Sequence, residues 1–113
     1  MASTRKVLQE ESRLRVMQII KHNSQVTSRK IAKEVGISNG SAYYLLISLI
    51  DNGFIKLLNF EEHSNNIRYS YSLTPKGIRE KSILTHKFLF YKKIQYEALK
   101  NEIRQLEQEV ENK

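Results

Sequence analysis

The sequence predicts a mostly α fold with a small β-hairpin, and three observations predict it. Apolar residues recur at helical spacing through the first half of the chain and again through its last third. Between them, residues 54–73 change to the two-residue period of strands. Four glycines and one proline in 113 residues leave few breaks, so the elements are easy to delimit. The length suits roughly one hydrophobic core.

Each element has its own signature. Residues 4–22 carry Val7, Leu8, Leu14, Met17 and Ile20 among polar residues with no breaker, and are expected to form a first helix. His22-Asn23-Ser24-Gln25 is polar enough for a loop. Thr27 is a suitable N-cap for a short second helix bearing Ile31, Ala32 and Val35, which Gly36 closes at C′. Ser38 caps a third helix with the apolar set Ala42, Leu45, Leu46 and Leu49, ending at Asp51-Asn52-Gly53. Phe54–Phe60 and Ile67–Leu73 are expected as antiparallel strands around a polar turn at Glu61–Asn66. Thr74-Pro75 pairs an N-cap with proline at the first helical position, and no glycine or proline follows Gly77. One helix is therefore expected to run to about residue 111, on the order of 55 Å at the α-helical rise. That is longer than a core of this size requires.

Residues 27–49 have the pattern of a helix-turn-helix. Such a unit needs a small residue where its helices cross, a glycine at the turn, and apolar residues filling the wedge behind. Ala32 and Gly36 supply the first two; Ile31, Val35, Ile37, Ala42 and Leu45 supply the third. At 100° per residue, Ala42, Leu45, Leu46 and Leu49 share one side of the third helix. Gly40, Tyr43, Tyr44, Ile47 and Asp51 then face outward. Ser38, Asn39, Gly40 and Ser41 make its first turn small and polar, suited to a phosphate and to close approach in the major groove. Tyr43 and Tyr44 can reach thymine methyls, bases or phosphates. No arginine lies on this helix, so specificity is expected to rest on Asn39, the serines, the tyrosines and DNA shape. Arg29 and Lys30, at the start of the second helix, and Arg68, on the return strand, are the candidate phosphate contacts.

Charge supports a polyanionic partner. The chain carries 19 Lys+Arg against 12 Asp+Glu, a net +7. Residues 1–59 hold nine basic and four acidic side chains, whereas residues 91–113 hold five of each. The field thus sits on the first two-thirds of the chain and points to a polyanion such as nucleic acid, which the helix-turn-helix pattern makes double-stranded DNA. Catalysis is not expected. His22, His63 and His86 are dispersed, there is no cysteine, and no phosphate loop, nucleophile elbow or metal-binding helix motif occurs. No cofactor or metal is expected. No apolar run approaches a membrane span or a signal segment, so a cytoplasmic protein is expected.

Three helices, a hairpin and a further helix follow the winged-helix order. The sequence resembles the MarR-like winged-helix transcriptional regulators, in particular their short branch associated with exopolysaccharide (EPS) genes. The resemblance is carried by Gly36-Ile37-Ser38-Asn39-Gly40, Tyr44 and Leu46, then Leu49-Ile50-Asp51-Asn52-Gly53-Phe54-Ile55-Lys56. Asn59-Phe60, Tyr69–Ile78 and Tyr96-Glu97-Ala98-Leu99 continue it. It implies a dimeric, sequence-specific regulator, repressor-type, acting near genes for surface polysaccharide. The chain departs from the resemblance at Ser41 and Ile47, where more basic character is expected, and at Glu61-Glu62, which a phosphate would repel. It is also too short for the extra helices that frame a ligand pocket in longer relatives, so small-molecule sensing is not implied.

The last helix is the candidate dimer element. Leu89, Tyr96, Leu99, Ile103, Leu106 and Val110 fall at spacings of 7, 3, 4, 3 and 4, a heptad seam interrupted by Lys92. Leu84, Phe88 and Tyr91 form a second stripe suited to covering the chain's own core, against the first helix. Since about two to three heptads are marginal for a coiled coil alone, both stripes are expected to contribute to one interface. The expected organisation is a DNA-binding winged helix over residues 1–77 (helix-turn-helix 27–51, wing 54–73) and a dimerisation helix over 75–112. A homodimer would hold two recognition helices about 34–36 Å apart over an inverted repeat. The alternative is a winged helix used as a protein-interaction module with little DNA binding. RNA is a weaker third reading, because no aromatic sheet face for stacking bases is evident.

Overall fold

The computed structural model describes the backbone of residues 4–63 and 66–112 and the side chains of residues 5–58 and 70–112. Its elements follow the expected order: α1 (Thr4–His22), α2 (Ser28–Val35), α3 (Asn39–Asp51), β1 (Ile55–His63), β2 (Asn66–Leu73) and α4 (Pro75–Glu111). The caps are the predicted ones. Thr27 Oγ1 accepts the Lys30 N–H at 3.1 Å, and Ser38 Oγ accepts the Ser41 N–H at 3.1 Å. Thr74 Oγ1 accepts the Gly77 N–H at 3.0 Å, with Pro75 directly after it. Gly36 ends α2 in the left-handed region at φ 81°, donating its N–H to the Ala32 carbonyl.

One core joins these elements. Met17, Val16 and Ile20 of α1 are buried with Ile31 and Ala32 of α2 and Ala42, Leu46 and Leu49 of α3. Leu84 and Phe88 of α4 close it, with Tyr91 packed at its edge. Tyr91 sits edge-on to Phe88, ring centroids 5.8 Å apart. The second stripe of α4 thus lies on the chain's own core, and with Leu84 and Phe88 buried there it is not free to share an interface with the seam, contrary to the expectation from the sequence. Leu8 departs from its helical set and is exposed, while Val16, from outside that set, is fully buried. Val35, Ile37 and Leu45 pack around the margin of the core rather than inside it.

α1 and α4 are also held by charge. Lys87 Nζ donates to both carboxylate oxygens of Glu10, at 2.9 and 2.7 Å, and Arg13 lies 3.7 Å from Glu80. The pairs run in opposite chain order, so the helices are antiparallel. The Glu10 carboxylate, chiefly through these hydrogen bonds, holds the Lys87 ammonium above the ordinary lysine range.

The hairpin is longer than the alternation indicates. The ladder continues past Phe60 through Glu61↔Arg68 and Glu62↔Ile67 to His63↔Asn66, so much of the expected turn is strand. An opposite-charge pair in register is compatible with that extension. The register slips between Leu57 and Asn59, marking Leu58 as the extra residue of a bulge. The segment after α1 borders the other edge of β2: Gln25 bridges Ser70, and the Tyr71 N–H donates to the Ser24 carbonyl at 2.9 Å.

A compact clamp fixes the start of α4 against the end of α3. The Thr74 hydroxyl donates to the Gly53 carbonyl, and the Thr74 N–H donates to the Phe54 carbonyl at 3.0 Å. Lys76 Nζ donates to the Asn52 carbonyl at 2.8 Å and lies 5.0 Å from the centre of the Phe54 ring. At Gly77 a Cβ would stand 1.9 Å from the Phe54 carbonyl oxygen, so only glycine fits. The Leu73-Thr74-Pro75-Lys76-Gly77 run is therefore a joint between helix-turn-helix and hairpin on one side and α4 on the other.

Candidate nucleic-acid interface

The recognition face is built outward from the core of α3. Ala42, Leu46 and Leu49 anchor one side. Helical geometry then turns Gly40, Tyr43, Tyr44 and Ile47 away from the protein, as the arithmetic at 100° per residue requires. Tyr43 is 56% exposed and Tyr44 74%, so neither ring is taken up by the protein's own packing. They meet each other edge-on, ring centroids 6.1 Å apart, with both hydroxyl-bearing rings on the surface.

The first turn of α3 is polar and low in bulk. Asn39, Gly40 and Ser41 are exposed, and nothing lies within 4 Å of where a Cβ on Gly40 would be. Ser38 spends its oxygen on the Ser41 N–H, and its hydroxyl approaches that of Ser41 at 2.9 Å. The Asn39 and Gly40 amides belong to the uncapped part of a helix N-terminus, where a phosphate oxygen is favoured.

Arg29 and Lys30 are exposed in the first turn of α2. Two further exposed cations, Lys33 on α2 and Lys56 at the start of β1, escape the sequence pattern, though a simple count of basic residues near the turn includes them. Arg68 occupies a register position opposite Glu61 on the hairpin; its side chain lies outside the described residues. Ser38 through Tyr44 are thus gathered on one helix end, while Arg29, Lys30 and Arg68 stand on other elements. The six seam residues of α4 lie on a different part of the molecule. They are between 47% and 73% exposed.

Among the described residues, no helix is long and apolar enough to cross a membrane, and no cluster of His, Asp or Glu is placed to hold a metal.

Residues 9–56 match the model of a winged helix-turn-helix DNA-binding family. The match begins in α1 and ends in β1, so it takes in the whole of α2 and α3. The chain has the fold of the MarR-type winged-helix regulators. Among solved structures, a transcriptional regulator from Clostridium thermocellum superposes with a TM-score of 0.66 at 19% identity, covering 86% of this chain and 97% of that one. The PcaV transcriptional regulator from Streptomyces coelicolor gives a TM-score of 0.64 at 14% identity, covering 90% and 79%. Staphylococcus aureus MarR, in complex with salicylate and kanamycin, gives 0.52 at 24% identity, covering 77% of this chain and 55% of that one. The chain thus spans little more than half the length of that MarR. No curated protein sequence matches the chain.

Proposed function

We propose that this winged helix is a sequence-specific, repressor-type transcriptional regulator that binds an inverted-repeat operator as a homodimer. The observation that carries the reading is the outer face of α3. Its first two turns offer small polar groups and two exposed tyrosines on the basic part of the chain, a surface with no role in the protein's own core. In this reading α3 enters the major groove. Ser38, Asn39, Ser41, Tyr43 and Tyr44 touch base edges and flanking phosphates, and Gly40 permits the close approach. Arg29 and Lys30 bind the phosphates that α2 crosses, and Arg68 brings the hairpin to the backbone. The resemblance to the EPS-associated branch suggests control of surface polysaccharide genes.

A salt titration tests the DNA reading. Affinity for duplex DNA is expected to fall linearly with salt on logarithmic axes, with a slope set by the phosphates neutralised. A protein-interaction module would show little duplex binding even at low salt. Selection of bound fragments from genomic DNA identifies the operator, and its symmetry checks the inverted repeat.

A further inference from the structure

We propose that the exposed seam of α4 takes a second copy of this chain running in the opposite direction, with Leu99 against the partner's Ile103 and the two helices crossing at Asn101. This rests on the homodimer above and adds its orientation and register. From Lys92 to Asn112 every residue is exposed, so the last five turns of α4 have nothing of their own chain to cover their apolar stripe. Tyr96, Leu99, Ile103, Leu106 and Val110 continue that stripe at alternating spacings of three and four. This is the pattern that packs one helix on another.

Charge decides the direction. Within the exposed overhang, residues 92–100 hold three basic side chains and one acidic, whereas residues 101–113 hold two basic and four acidic. A parallel pair would lay the two acidic ends together and the two basic stretches together. It would also set Lys92, which occupies a seam position, directly against the partner's Lys92. Glu102 and the partner's Glu107 would flank the seam as a like-charge pair.

The antiparallel arrangement removes these conflicts. With the crossing at Asn101, Tyr96 meets the partner's Leu106 and Leu99 meets the partner's Ile103, which gives four apolar layers by symmetry. Lys92 then lies over the partner's Val110, its stem on the apolar side chain and its ammonium between the partner's Glu109 and the partner's Glu111. Lys93 faces the partner's Glu107 along the edge. Two like-charge approaches remain near the crossing, at Lys100 and Glu102, each once. The winged helices sit at the two ends of this coil, Leu84 about 51 Å from the partner's Leu84 along it, so this register sets the half-sites further apart than the single helical turn of about 34–36 Å.

The chain has no cysteine, so introduced thiols report the pairing directly. Tyr96→Cys and Leu106→Cys are both at exposed positions and leave the core intact. In the proposed register, position 96 lies about 15 Å from position 96 of the partner along the coil, well beyond the roughly 4.4–6.8 Å between Cα atoms that a disulfide tolerates. An equal mixture of the two variants, exchanged and then oxidised, is expected to form covalent dimer at least about ten times faster than either variant alone. If each variant alone cross-links as fast as the mixture, the pairing is parallel and the proposal is wrong. If no combination cross-links while the parent sediments as a dimer, the dimer is made by another surface and the proposal is likewise wrong. A parent that sediments as a monomer would remove the homodimer itself.

Discussion

Asn39 and Tyr43 are the single residues on which DNA binding can be tested most sharply. Tyr43 stands on the outward side of α3 and Asn39 is exposed at its first residue, so replacing either by Ala leaves Ala42, Leu46 and Leu49 in place. Each replacement is expected to cost about 1–3 kcal/mol at the specific site and less on random DNA. Gel shifts with the selected operator and with random duplex check this, and parental affinity for both variants would contradict the placement. Arg68→Glu is expected to weaken specific and non-specific binding alike and to flatten the salt slope by about one or two units. An unchanged slope would mean that the hairpin stays off the DNA. Two glycines separate folding from binding. Gly77→Ala forces a Cβ against the Phe54 carbonyl and is expected to lower stability by about 1–3 kcal/mol or more. Gly40→Ala meets no neighbour in the first turn of α3, so it is expected to keep or raise stability, by less than the roughly 0.5–1 kcal/mol of a mid-helix glycine, while reducing DNA affinity. Thermal unfolding of both variants checks the contrast.

Among the elements, the pairing of α1 with α4 makes a pH prediction. Because Glu10 raises Lys87 above its ordinary value of 10.5, the protonated lysine is bound more tightly in the folded chain than in the unfolded one. The stabilisation is therefore complete below that value and is lost as the pH rises through the folded-state value. Lys87→Met, which strands a buried carboxylate, is expected to lower the unfolding midpoint at neutral pH. The gap between variant and parent is expected to narrow in strongly alkaline solution. A gap that stays constant there would show that the pair contributes nothing. The same contact marks a limit of reading the sequence. Helix starts are legible because Thr27, Ser38 and Thr74 announce them locally, and the recognition face follows from four apolar positions on one helix. Glu10 with Lys87 is not legible, since its partners are 77 residues apart and each looks like an ordinary surface charge. The extension of the hairpin beyond Phe60 is hidden for a related reason. Glu61 and Glu62 favour a turn when read along the chain, and only pairing across the ladder with Arg68 and Ile67 makes them strand. Gly77 is visible as part of a recurrent segment, but the close approach of Phe54 that requires it belongs to tertiary structure.

The molecule taken together is an elongated body of 68 × 29 × 24 Å, a compact winged helix with a helix that outruns it. In the proposed division of labour the winged helix takes DNA and the overhang takes a second copy. Leu99→Lys with Ile103→Lys alters only exposed positions, so the winged helix is expected to stay folded while the protein becomes monomeric and binds the operator poorly. Sedimentation and gel shifts check both halves of that statement, and a double variant that remains dimeric would take the interface off α4. Whether the outer face of α3 reads DNA is decided by duplex affinity measured across salt concentration for the parent and for Tyr43→Ala. A linear fall on logarithmic axes is expected for both proteins, with Tyr43→Ala displaced to weaker binding on operator DNA and nearly coincident with the parent on random DNA. Duplex binding that is absent at low salt, or that is equal for the two proteins on operator DNA, would contradict it.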